Sequence, residues 1–375
     1  AVGFTAASAL TTGDNSVAVG RYALRKCTTG SGNVAVGLNS LQETTTASNN
    51  VAVGTQALND NTTGSFNAVL GYQAMLDNTT GEQNVAIGSQ ALYNNETANY
   101  NIAIGSNALL RNTTGASNVA VGYLALDHNT TANDNTAVGL KALTSNTTGE
   151  NNTGIGFNAL HSNTTGTPNT AVGAGSLTNN TTGTSNTAVG FDAAAANQVG
   201  SSITAVGRAA LNLVTGGDNS GFGRNAGNNI TSGGNNTCLG FNSQASSATV
   251  SNEITLGNGS VSSLRCNVQT ISSLSDGRDK TNIIDLPEGL GFINKLRPIK
   301  FLWATRDGNG KDGSYEHGFT AQNLQAAQAE SNANYLKMVM DNNPERLEAS
   351  YGKLIPILAK AIQELSVKVT ALEAG

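Results

Sequence analysis

From its first residues the chain repeats apolar triplets at a long interval, not with the alternation of an ordinary strand or the three-to-four spacing of a helix. Val17-Ala18-Val19, Val34-Ala35-Val36 and Val51-Ala52-Val53 are each followed by a glycine. These glycines recur every 17 residues from Gly3 through Gly20 and Gly37 to Gly207, then after one step of 16 at Gly223, Gly240 and Gly257. The unit reads Asn-Thr-Ala-Val-Gly-x-x-Ala-Leu-x-x-Asn-Thr-Thr-Gly-x-x, with Asn135 to Gly149 a clean copy. Thr-Ala-Val is a short β-prone run, and its glycine permits a sharp turn or positive φ. The x-x-Ala-Leu stretch fits either a second short strand or a single helical turn. Asn-Thr-Thr-Gly is turn chemistry.

One unit holds about three small apolar side chains, too few for a core of its own. Stacked in register, the Val, Ala and Leu positions become continuous columns, and identical asparagines can pair their amides from coil to coil. The expectation is a mainly β protein: a parallel β-solenoid or β-roll, one coil per repeat. Sixteen coils spaced about 4.8 Å apart make a rod of roughly 75 Å. Coils this thin expose apolar edges that packing around an axis would bury, so a homotrimer is expected. Residues 1 to about 260 resemble the head repeats of trimeric autotransporter adhesins, which also stack Asn-x-Ala-Ile/Val-Gly units into trimeric β-rolls.

The chain has 375 residues, with 12% charged, 5% aromatic, 44 glycines and 5 prolines. This is too uncharged for a solvated disordered chain and too glycine-rich for a helical one. A net charge of −5 gives no electrostatic grip on nucleic acid or anionic lipid. No apolar run approaches the roughly 20 residues of a membrane span, and no signal peptide is visible. Because Ala1-Val2-Gly3 already lies inside the repeat, the natural N-terminus is expected to be missing. Residues 1–264 carry 7 Lys/Arg and 12 Asp/Glu, whereas 265–375 carry 13 of each. The expected division is a repeat shaft over 1–264, a linker and cleavage region over 265–274, and a second domain over 275–375.

Several features imitate sites. Cys27, Cys238 and Cys266 are odd in number and lack C-x-x-C pairing, which argues against a disulfide framework or zinc. Cys238 replaces the small apolar residue of a packed strand. Gly221-Phe222-Gly223 with Gly227 imitates a phosphate loop but falls on the repeat register. His128 and His161 occupy different repeat positions and form no stacked pair. Asn-Thr-Thr matches glycosylation sequons, yet the repeat accounts for it. No metal and no cofactor is expected.

From Ser275 the text changes, reading Ser275-Asp276-Gly277-Arg278-Asp279-Lys280, then Leu296-Arg297-Pro298-Ile299-Lys300-Phe301-Leu302-Trp303, then Gly318-Phe319-Thr320-Ala321-Gln322. Residues 348–373 follow with apolar positions at Leu354, Leu358, Ala361, Leu365, Val369 and Leu372, which predicts a helix with one apolar stripe. The stripe suits a short coiled coil with sister chains or packing on its own domain. Pro356 stands near the helix start, where it costs least.

These four elements, in this order over residues 272–375, resemble the intramolecular chaperone domain of endosialidase-type tailspikes and related phage fibres. The resemblance implies a domain that trimerises the chain, helps the upstream β-structure fold in register and cleaves itself off. It implies Ser275 as nucleophile, Lys280 as general base and a cut between Leu274 and Ser275, with Asp276 and Arg278 as possible supporting residues. A serine hydroxyl attacks only once a base takes its proton, and lysine serves when burial lowers its pKa. The residue before the lysine, usually apolar in that family, is Asp279 here. Its carboxylate, if it reaches Lys280, would hold the ammonium charged.

The expected function is therefore a trimeric tail fibre or spike segment for host-surface attachment, located on the virion tail. Its expected partners are two sister chains, a host cell-surface receptor, and other tail proteins through the missing N-terminus, with no nucleic acid and no membrane insertion. Enzymatic activity would be at most a single self-cleavage. The alternative is a bacterial trimeric adhesin with an inactive clamp. A glycan depolymerase needs clustered carboxylates, and Asp60, Asp77, Glu96, Asp127 and Asp192 follow no such pattern. An ice-binding solenoid fits the threonine content but leaves the C-terminal domain unexplained.

Overall fold

A computed structural model describes residues 1–261, 263–265, 275, 277–302, 315–341 and 347–375. They fall into two compact units, Ala1–Asn258 and Gly259–Gly375. Leu274, Asp276 and most of the expected linker lie outside the described residues.

The first unit is one parallel sheet of fifteen three-residue strands, from β1 (Val17–Val19) to β15 (Ile254–Leu256), each paired with the next in chain order. Val2 adds a single bridge to Val19. Pairing is offset by one repeat, so Val17, Ala18 and Val19 face Val34, Ala35 and Val36. The sheet is the parallel β-solenoid anticipated from the 17-residue period.

Within each coil the middle strand residue points inward, as with Ala18, Ala35 and Ala52. Behind it lies a second small column (Ala23, Ala57, Ala74) and then a large one (Leu24, Leu41, Leu58, Met75), all fully buried. The glycine after each strand through Gly223 is compulsory. Gly20 has φ 134°, and a Cβ there would lie 2.4 Å from the carbonyl oxygen of Gly37.

The x-x-Ala-Leu stretch is neither of the two conformations its length allowed. Tyr22 and Leu24 take φ values of 63° and 50°, and the alternation recurs at Asn39 and Leu41 and at Gln56 and Leu58. A leucine in the left-handed region costs roughly 1–2 kcal/mol. Full burial of its side chain contributes roughly 1.5–3 kcal/mol, so packing wins. The bend also sends the Leu24 N–H to the carbonyl of Ser40 in the next coil, 3.1 Å away.

Two buried asparagine ladders run along the stack. In the first, the Asn50 backbone N–H donates to Oδ1 of Asn33 (3.0 Å) while its side-chain N–H donates to the Gly64 carbonyl (2.9 Å). The pattern continues to Asn186. In the second, Asn78 donates to Oδ1 of Asn61 (2.8 Å) and to Gly81 O (3.1 Å), a pattern that continues to Asn197. Buried amides left unpaired are costly; here each finds its partner in the neighbouring copy. A parallel threonine column bonds hydroxyl to carbonyl between coils, as from Thr28 to Thr45 O at 3.1 Å.

The 16-residue step is absorbed in a turn. Thr204, Ala205 and Val206 still pair with Ser220, Gly221 and Phe222. Ile203, Val214 and Ile230, all buried, take asparagine slots near this step.

The second unit has its own core, built from Phe292, Leu324, Ala327, Ala333, Met338, Leu354 and Ile357. Its elements are α1 (Leu290–Ile293), β16 (Ile299–Phe301), β17 (Glu316–Gly318), α2 (Ala321–Glu330), β18 (Val339–Met340), β19 (Glu348–Ala349) and α3 (Leu354–Glu373). Strands β16 and β17 pair antiparallel, as do β18 and β19. The terminal helix begins at Leu354 instead of 348 because Glu348 and Ala349 are held by the β18 ladder and a 3₁₀ turn, Tyr351–Lys353, follows. Pro356 falls in the first turn of α3, where its missing N–H has no intrahelical partner to lose.

Candidate active site

The N-terminal end of the second unit carries the predicted dyad. A 3₁₀ turn, Gly277–Asp279, folds the chain back, and the Lys280 N–H closes it onto the Gly277 carbonyl at 3.2 Å. The turn returns the lysine to the serine five residues earlier. Lys280 Nζ lies 2.8 Å from Ser275 Oγ and 3.3 Å from the Ser275 carbonyl oxygen. The ammonium donates to the hydroxyl; a neutral amine would instead accept from it, the arrangement of a general base. Both side chains are exposed in the isolated chain. Arg278 occupies the middle of the turn and is exposed.

The remaining motifs build the support. Thr320 caps α2, accepting the Asn323 N–H at 3.2 Å, as N-cap threonines do. The Tyr351 hydroxyl donates to Phe319 O (2.7 Å) and accepts the Phe319 N–H (3.2 Å). A Cβ on Gly318 would lie 3.0 Å from that hydroxyl, a tight contact that a small shift of the ring would have to relieve. Ile299 and Lys300 pair with Gly318 and His317 across β16 and β17, which joins two of the sequence motifs. Trp303 lies outside the described residues.

Sequence reasoning missed three anchors. Glu364 on α3 accepts the Leu290 N–H at 2.8 Å, tying the terminal helix to the start of α1. Lys295 donates to Glu330 O and Ser331 Oγ at the end of α2, a favourable place for a cation. Glu288 is buried and accepts the Tyr335 hydroxyl. Tyr335 is pushed up to about 12, first by desolvation and then by that carboxylate. None of these has a local sequence signature, because each partner lies far along the chain.

The single stripe expected on α3 separates into two. Leu354, Ile357 and Ala361 are buried against the domain. Ile355, Leu358, Ile362, Leu365, Val369 and Leu372 are 43–82% exposed and follow a three-four spacing over three heptads.

The lookalikes resolve into structure. Gly221 fills a buried strand slot, with Leu211 Cγ 2.8 Å from where a Cβ would be. Cys27 and Cys238 are buried and free, and burial raises both thiols. His128 Nε2 meets Asp127 Oδ2 at 3.2 Å, and His161 Nδ1 lies 3.4 Å from Lys141 O. Among the described residues no group of three or more His, Cys, Asp or Glu is placed to hold a metal, and no helix is long and apolar enough to cross a membrane.

Residues 275–332 match the family model of the chaperone of endosialidase. The match begins at Ser275 and takes in the 3₁₀ turn, the β16–β17 pair and α2. No curated protein and no solved structure gave a match. The chain thus combines a β-solenoid of 17-residue repeats with a C-terminal segment of the chaperone-of-endosialidase type.

Proposed function

We propose that this chain is a homotrimeric tail fibre or spike segment of a virion, displayed for attachment to a host surface. Its C-terminal domain would trimerise the chains and then release itself by cutting between Leu274 and Ser275. The observation that carries the reading is the outward column at the third position of every strand. All fifteen residues there are apolar, none is buried, and Leu70, Leu239 and Leu256 are about half exposed (50%, 49% and 52%). A continuous apolar strip of this kind marks an interface. Because every coil contributes to it, the natural cover is the same strip on sister chains. The exposed heptads of α3 offer the C-terminal domain a matching contact.

Trimerisation by that domain answers a problem the repeat creates. A chain displaced by one coil buries nearly the same surface, so register needs an external reference. Joining the C-terminal ends first supplies it and raises the effective concentration of the shafts for one another. Cleavage then removes the route back and leaves a kinetically stable shaft. In the chemistry, Ser275 Oγ attacks the carbonyl carbon of Leu274 and Lys280 takes the hydroxyl proton. The amine of Ser275 leaves with a proton, and water resolves the ester. The base needs an uncharged amine, and the exposed pair acquires a cover when subunits assemble, which would couple cutting to assembly.

The test is the mass of the chain under denaturing conditions, with and without Ser275→Ala. Two fragments meeting at Leu274–Ser275 in the wild type, and one intact chain in the variant, are expected. An intact wild-type trimer would reduce the domain to a clamp.

A further inference from the structure

In every coil from Gly20 onward but one, where Pro168 stands, the position five residues before the repeat glycine is a left-handed turn. Asn49 (φ 60°), Gln83 (57°), Ser117 (59°) and Asn151 (57°) occupy it with polar side chains. Phe66 (φ 63°) and Tyr100 (φ 61°) are the exceptions, and their side chains are 57% and 60% exposed. A bulky residue in this region is a backbone outlier. Burial cannot be its reason here, since both rings face solvent, and twelve other coils form the same turn without a ring. The coil dictates the turn but not the ring on it, and an exposed aromatic that packing does not explain points to function.

The two rings lie in one column, two coils and so about 10 Å apart. Between them stands Gln83, exposed, next to the exposed carboxylate of Glu82. The Glu82 backbone N–H is fixed by Asn99 Oδ1 at 2.7 Å. The pair occurs at one place on the shaft, whereas a lengthwise subunit contact draws on every coil. Two flat apolar faces with an amide and a carboxylate between them suit a sugar chain, whose rings offer C–H faces for stacking and hydroxyls for the polar groups. A β-1,4-linked chain presents the same face at every second sugar, a repeat close to two coils. We infer that Phe66, Gln83 and Tyr100 form a binding site for a linear β-1,4-linked glycan lying along the stack. This deepens the proposed attachment role and rests on the shaft being displayed.

The test is calorimetric titration of the full chain with the hexamers of β-1,4-linked glucose and of β-1,4-linked N-acetylglucosamine, with α-1,4-linked glucose hexamer as control. One β-linked hexamer should bind saturably. Phe66→Ala and Tyr100→Ala should each weaken it about tenfold, the scale of one lost ring stack, while Phe66→Tyr retains it. Absence of binding to both β-linked hexamers, or unchanged binding by the alanine variants, overturns the site. So does loss of assembly by those variants in sedimentation, which would assign the rings to a subunit contact. Self-cleavage and oligomeric state, read on the same samples, report separately on the proposed function.

Discussion

Lys280 Nζ sits 2.8 Å from Ser275 Oγ because the 3₁₀ turn Gly277–Asp279 reverses the chain between them. The contact is local, so the dyad is assembled before any subunit meets another.

Lys280→Met is accordingly expected to block cleavage as fully as Ser275→Ala, without preventing trimer formation. Asp279→Ala is expected to speed cleavage by removing a carboxylate adjacent in sequence to the base. Gel time courses on freshly assembled protein, together with sedimentation, check these outcomes. Slower cleavage in Asp279→Ala would give that carboxylate a supporting role instead.

The second asparagine ladder predicts graded losses. Asn129 donates to Asn112 Oδ1 (2.8 Å) and Ala132 O (3.0 Å) and accepts from Asn146 (3.1 Å). Asn129→Ala strands partners on both sides and is expected to cost about 2–4 kcal/mol. Asn197→Ala, at the end of the ladder, is expected to cost less. Equilibrium urea unfolding of the shaft measures the difference.

Asp127 is a buried carboxylate with only one oxygen partnered: Oδ2 meets His128 Nε2 at 3.2 Å. It is 5% exposed, its Oδ1 has no hydrogen-bond partner, and burial raises its pKa above the ordinary 3.8, with His128 and Arg111 acting in opposition. The folded state therefore holds this proton more tightly than the unfolded chain. Its contribution improves as pH falls through the raised value toward 3.8 and is lost as pH rises. Asp127→Asn is expected to raise the melting temperature at pH 7 and to flatten this part of the pH profile, as seen by calorimetry.

On α3 the two stripes predict opposite phenotypes. Ile362→Asp and Leu365→Asp lie on the exposed heptads and are expected to leave the domain folded but monomeric. Ile357→Ala, fully buried, is expected to destabilise the domain itself by about 2–5 kcal/mol. Sedimentation and circular dichroism separate the two. Trimers persisting in both aspartate variants would remove the helix from the assembly contact.

The repeat alone determined the solenoid. A 17-residue period puts every side chain on its own copy, so inward alanines, buried leucines and paired amides follow from stacking; the sixteen glycine registers correspond to fifteen paired strands and one bridge at Val2. An ordered set of motifs singled out Ser275 and Lys280; their 2.8 Å contact depends on a turn that five residues do not specify. Tertiary structure decided where local preference and burial conflict. Leu24 accepts a left-handed backbone because the coil interior repays it in packing, a trade invisible in a four-residue window. Ala361 and Leu365 both fit one helical stripe, and only the position of α1 and the grip of Glu364 on Leu290 N–H divide inward from outward. Sequence periodicity states which residues share a helix face, and long-range packing chooses which face is buried.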